Sequence, residues 1–199
     1  MSAVPSPFVS AESYLAAERR AEQKHEYVDG QIYAMAGASL AHTRICSNLV
    51  HQLRSRFGPQ GCEVFSQDLR TGLRDASGYF YPDVIVLCGK PELADKNQDV
   101  LLNPTVLIEV LSESTEAWDR GGKFARYRRI ESLREYILIS QDQPRIDRFL
   151  RDGVEWRLSS MEDLQEELTL STVGASMPLT EIYERVEFNP TNGPAPAPD

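Results

Sequence analysis

The sequence predicts an α/β (α+β) fold, with a mixed central β-sheet and helices on its faces. Three observations predict it. Two apolar runs of strand length, YFYPDVIVLC and PTVLIEVLS, follow one another in the middle of the chain. Segments with helical apolar periodicity stand before and after them. The turn dipeptides Asp29-Gly30 and Asp152-Gly153 mark hairpins on either side.

The elements follow in order. Ser10 opens a helical pattern, SAESYLAAERRAEQK, with an acid in its first turn. HEYVDGQIYAMAG is a hairpin around Asp29-Gly30. Ser39 to Phe57 is an amphipathic helix striped by Leu40, Ile45, Leu49 and Leu53, and Gly58-Pro59 ends it. Three strands are expected next: Cys62 to Leu73, Tyr79 to Cys88 and Thr105 to Ser112. The polar stretch from Gly89 to Asn103 is a loop. A helix runs from about Asp119 to Ser132, then a buried strand EYILISQ, then a meander of Arg145 to Arg151 and Val154 to Leu158. Gln165 to Val173 is a last strand, and Pro178 to Arg185 a short helix.

Size and composition suit one folded unit. With 199 residues, 41% hydrophobic and 26% charged, residues 10–188 can bury a core, flanked by a flexible start (1–9) and a disordered proline-rich tail (189–199). No apolar run is long enough to span a bilayer and no signal-peptide pattern opens the chain, so no membrane partner and a cytoplasmic location are expected. Cys46, Cys62 and Cys88 match no zinc spacing and no disulfide framework, and Cys62 and Cys88 read as small hydrophobes beside apolar stretches. The formal net charge of -9 argues against general nucleic-acid binding, although Arg120, Lys123, Arg126, Arg128, Arg129 and Arg134 form a local basic run.

The informative residues are charges inside apolar strands. Asp83 is the only charge in its run and Glu109 the only charge in the next. A buried carboxylate is costly unless it is paired or holds a metal. Neighbouring strands lie about 4.8 Å apart, so both acids can reach one ion. Hard divalent cations take one or two carboxylates with waters and substrate phosphates.

The following helix adds an amine. At about 100° per residue from Asp119, Lys123 falls near 40°, Ile130 near 20° and Tyr127 near 80°. Lys123 therefore faces the sheet. Arg126, near about 340°, borders the same arc, while Arg128, at about 180°, faces water. Asp119 and Lys123 also have the spacing of an ordinary helix salt bridge, and Gly121-Gly122 can distort the turn between them.

Taken in order, Pro82-Asp83, Glu109 and a lysine resemble the PD-(D/E)XK nuclease superfamily. YPDVIVLC, PTVLIEVLSEST and DRGGKFARYRRIESLREYILI resemble one branch in particular, the Uma-type restriction endonucleases, a bacterial family abundant in cyanobacteria. The resemblance spans roughly residues 10–186 and includes EYVDGQIYAMAGAS and His42. It implies a restriction-endonuclease-like fold and a metal-dependent endonuclease acting on DNA. Asp83 and Glu109 would bind Mg²⁺ or Mn²⁺ and Lys123 would assist catalysis. In the usual superfamily pattern the lysine stands two residues after the acid, where this chain has Leu111; in this branch it maps to Lys123. Glu26, His42 and Gln67 are possible accessory residues, and a homodimer is expected from related nucleases. Two other readings stay open: a catalytically silent nuclease-fold binding or assembly module, and a structural protein in which Arg126 or Arg70 pairs with the two acids.

Overall fold

The computed structural model describes residues 8–57, 61–66 and 68–188. The expected tail, the Gly58-Pro59 helix stop and Gln67 lie outside the described residues.

Helix α1 (Ala11–Glu18) starts where Ser10 accepts a hydrogen bond from the Ser13 amide, and it ends sooner than its periodicity suggests. Strands β1 (His25–Val28) and β2 (Gln31–Ala34) form the expected hairpin. Asp29 and Gly30 both adopt positive φ, 47° and 88°, as a two-residue turn of this hand requires. Within the expected flexible start, the Val9 amide donates to the Gly30 carbonyl, and Tyr27 Oη donates to the Val9 carbonyl. Helix α2 is Leu40–Phe57.

Two of the expected strands are each two strands in different sheets. Cys62 to Leu73 divides into β3 (Cys62–Ser66) and β4 (Arg70–Gly72). Tyr79 to Cys88 divides into β5 (Gly78–Phe80) and β6 (Val84–Cys88). Pro82 supplies no N–H for a sheet ladder, and the chain changes sheets across Tyr81-Pro82-Asp83. The expected loop contains β7 (Val100–Leu101), and β8 is Val106–Leu111. The next helix is composite: α3 (Glu116–Trp118), a π-helical turn (Asp119–Lys123) and α4 (Phe124–Tyr127). Strands β9 (Glu135–Ser140), β10 (Ile146–Asp152), β11 (Glu155–Met161), β12 (Glu167–Leu170) and β13 (Ala175–Pro178) follow, then α5 (Leu179–Ile182).

Among the described residues the strands form a first sheet, β2-β1-β5-β4-β7, a second, β11-β10-β9-β8-β6-β3, and a β12-β13 hairpin. The expected single central sheet is thus two. β8 pairs parallel with β9 and antiparallel with β6, so the second sheet is mixed as expected. Its central strand is buried on both faces. Val106, Ile108 and Val110 pack with α2, α5 and the β12-β13 hairpin. Leu107 and Leu111 pack with Tyr127, Ile130 and the first-sheet residues Val28, Phe80 and Leu101. Cys62 and Cys88 stand directly opposite each other in the β3-β6 register and form a disulfide, correcting their reading as separate hydrophobes. Strand register joins residues that sequence spacing holds 26 apart. Cys46 is buried.

Candidate functional site at the seam of two sheets

The change of sheet at Tyr81-Pro82-Asp83 sets the site's position. Asp83 stands just before β6. Val84 pairs with Ile108 in the antiparallel register, so the next rung sets Asp83 opposite Glu109. Alternation along the strand puts Glu109 on the face of Leu107 and Leu111, which the composite helix covers. Glu26 arrives from β1 of the first sheet, opposite Tyr33 on β2. The backbone therefore collects three acids where the two sheets adjoin.

The π-helical turn delivers the amine. Asp119 and Lys123 both point inward, at 3% and 5% exposure, on the shared arc that their spacing of four gives. Tyr127 and Ile130 are buried and Arg128 exposed, as the helix-face reading expects. A side chain at Gly122 would meet the Trp118 ring at 2.0 Å, so a larger residue there displaces the ring.

Lys123 Nζ lies 2.9 Å from Glu26 Oε1, 3.1 Å from Glu109 Oε1 and 3.4 Å from Asp119 Oδ1. Tyr127 Oη donates to Glu109 Oε1 at 2.9 Å, and the Tyr81 amide donates to Glu26 Oε1 at 3.2 Å. Tyr136 Oη donates to the Asp119 carbonyl at 3.1 Å, fixing the turn from below. Asp83 Oδ2 accepts from the Val110 amide at 2.7 Å and lies 3.1 Å from His42 Nε2.

Electrostatics follow from this packing. Burial, joined by Asp119, Asp83 and Glu26, pushes the Glu109 carboxyl well above its ordinary range against the pull of Lys123. Burial also raises Asp119. For Lys123, burial acts to lower the ammonium, but Glu109, Glu26 and Asp119 outweigh it and hold it well above its ordinary value. Four carboxylates thus share one lysine and one histidine. Acids outnumber cations there, and their oxygen donors suit a hard divalent cation.

His42, Cys46 and Asp83 also lie close, with donor atoms within 4.8 Å of one another. However, His42 Nδ1 faces Cys46 Sγ at 3.6 Å while Nε2 faces Asp83. The ring thus bridges the thiol and the carboxylate through its two nitrogens. With Nε2–H donating to Asp83, Nδ1 accepts from the thiol, and the trio is a hydrogen-bonded chain that aims the carboxylate.

Of the expected residues, the structure brings together Asp83, Glu109, Lys123, Glu26 and His42. All five line one cleft of ≈ 580 Å³. The structural alternative loses its partners: Arg70 pairs with Asp99 and Tyr81, and Arg126 with Asp29. The expected basic surface is largely engaged as well. Arg120 pairs with Glu116 and Asp147, and Arg129 with Asp75. Sequence reasoning left out Asp119, Tyr127 and the Val110 amide. Tyr127 was within reach, being four residues after Lys123 on the same arc.

The profile of the Uma2 family, described as "Putative restriction endonuclease", matches residues 11–180. Two Synechocystis proteins are similar along most of their length. Uncharacterized protein sll1609 is 35% identical over 82% of this chain and 93% of its own. Uncharacterized protein slr1290 is 36% identical over 92% and 96%. The crystal structure of a putative nuclease belonging to DUF820 from Anabaena variabilis superimposes with a TM-score of 0.73 at 16% identity, covering 88% of this chain and 97% of that one. The chain belongs to the Uma2 family and has the fold of that nuclease.

Proposed function

We propose that this Uma2-family chain is a metal-dependent endonuclease that hydrolyses phosphodiester bonds in DNA. One observation carries the reading: three carboxylates, Glu26, Glu109 and Asp119, converge on one buried ammonium in a cleft that Asp83 also lines, so acids outnumber the cations that face them. Asp83 and Glu109 would hold Mg²⁺ or Mn²⁺. Such an ion supplies a more acidic bound water and a counter-charge for the phosphate.

The protein's own groups prepare that chemistry. The Val110 amide and His42 fix Asp83, while Tyr127 and Lys123 fix Glu109. Glu109, Glu26 and Asp119 favour the ammonium form of Lys123 against the effect of burial. The ammonium's role is to orient the water or offset charge on the phosphate as the new oxygen–phosphorus bond forms and the ester bond to the sugar breaks.

The test incubates the protein with supercoiled plasmid and single-stranded DNA in Mg²⁺, Mn²⁺ or EDTA, beside Asp83→Asn and Glu109→Gln. The expected result is cleavage that EDTA abolishes and that each variant lowers by at least about 100-fold. Cleavage that survives in both variants would overturn the assignment. Metal-dependent stabilisation without any cleavage would favour a binding or assembly module on the same fold.

A further inference from the structure

Beside the carboxylate cluster the cleft wall changes character. Tyr33 and Trp118 line it, with rings near-parallel (27°) and centroids 6.5 Å apart. Tyr33 is 53% exposed, although it stands opposite Glu26 in the strand register. Trp118 is held in place by Gly122 on the turn and by the Arg126 guanidinium, 5.3 Å from its ring. An exposed tyrosine ring and a half-buried tryptophan ring adjoining buried acids suit a flat apolar ligand bearing a charged group.

A second feature limits the shape of that ligand. The segment from Met35 to Ser39 has no regular structure and is pinned at both ends. The Met35 amide donates to the Lys24 carbonyl at 3.0 Å, and Ser39 hydrogen-bonds Gln141 and the His42 amide. Its middle, Ala36-Gly37-Ala38, is exposed. It lines the ≈ 580 Å³ cleft and an adjoining one of ≈ 410 Å³, and His42 and Asp83 also line both. The segment is thus a strap beside two adjoining openings that reach Asp83, each within the range of about 300–1,000 Å³ of a small-ligand site and roomy enough for an unpaired base.

Charge points the same way. Duplex binding rests on rows of cations that neutralise phosphates. Here the arginines nearest the cleft are committed: Arg120 to Glu116 and Asp147, and Arg126 to Asp29. The whole chain carries a formal charge of -9. Stacking of an unpaired base on an aromatic ring contributes about 1–3 kcal/mol per base in addition to phosphate contacts, and a duplex has no unpaired base to offer.

We infer that the site takes single-stranded DNA, with an unpaired base stacked on Tyr33 and Trp118 and the backbone led past Asp83 beside the Met35–Ser39 strap. This rests on the nuclease reading above and names its substrate class.

The experiment uses the full chain carrying Trp156→Phe, which leaves Trp118 as the only tryptophan. Trp118 fluorescence is titrated in Ca²⁺ with a short oligothymidylate, a duplex of equal length and an oligouridylate. The single DNA strand is expected to quench Trp118 saturably and the duplex not. The affinity should fall only shallowly with added salt. Tyr33→Ala should weaken binding on the order of tenfold, and Tyr33→Phe should restore it. Equal affinity for the duplex, or an unchanged affinity in Tyr33→Ala, overturns the inference. Tighter binding of oligouridylate overturns the assignment to DNA. Cleavage is scored separately. Single-strand binding without cleavage leaves this inference standing and removes the hydrolytic reading, whereas cleavage of duplex in preference to single strand does the reverse.

Discussion

Glu135 and Asp147 are buried as deeply as Glu109, at 0%, 1% and 3% exposure, yet their surroundings differ in kind. Glu135 receives Arg148 Nε at 2.7 Å and the Thr172 amide at 2.8 Å. Asp147 receives Arg120 Nη1 and Ser160 Oγ, each at 2.5 Å, and lies 3.4 Å from Arg145 Nε. These acids on β9 and β10 are matched by cations, and their partners hold Asp147 below its ordinary value despite the opposing effect of burial. At the seam, Glu26, Glu109 and Asp119 divide one ammonium, and Glu109 is driven upward. A buried acid therefore does not itself mark a functional site. An excess of acids over cations, facing a cleft, is what sets the seam apart.

Substitutions that remove the cation break the comparison most sharply. Lys123→Met leaves three buried carboxylates without their counter-ion and is expected to cost about 3–5 kcal/mol in EDTA. Urea unfolding measures this, and added Mg²⁺ should recover part of the loss. Arg148→Met in the matched group should cost about 3 kcal/mol by the same reasoning, with no recovery in Mg²⁺. If the ion rescues both variants alike, the two groups do not differ as described.

A smaller effect tests the turn that carries the lysine. Gly122→Ala places a methyl group against the Trp118 ring. The expected loss is about 1–3 kcal/mol by overpacking, and Gly122→Ala with Trp118→Leu should regain much of it. The smallest effect is in pH dependence. Asp147 is depressed in the folded state, so its contribution is fully present above the unfolded value near 3.8 and is lost as pH falls through the lower folded value. Asp147→Asn should flatten the acid limb of the stability curve below about pH 4 without changing the response to Mg²⁺.

The same contrast explains what was legible in the sequence. Asp83 and Glu109 stood out as lone charges in apolar runs, and Lys123 as an amine on an apolar arc. Those signals are local, and the structure brings the three residues together. The rule that selected Glu109 would equally select Glu135 in EYILIS. What separates them is the tally of partners from distant segments, which no local pattern records. Asp119 lies on the same arc as Lys123 but has the spacing of an ordinary helix salt bridge, and only its burial beside Lys123 tells the two readings apart. The division of Tyr79 to Cys88 between two sheets was signalled by Pro82 alone. Strands of three or four residues, such as β4, β5 and β13, are too short to show a period, so the first sheet was not separable from the second. The Cys62–Cys88 bond depends wholly on register.

The most direct measurement is the thermal midpoint of the wild-type chain, Asp83→Asn and Glu109→Gln, in EDTA and in rising Mg²⁺ or Mn²⁺. A chain whose seam carries uncompensated carboxylates should gain stability as the ion saturates it, and each variant should lose that gain while remaining folded in EDTA. A full ion response in both variants, or none in the wild type, would contradict a cation site between Asp83 and Glu109.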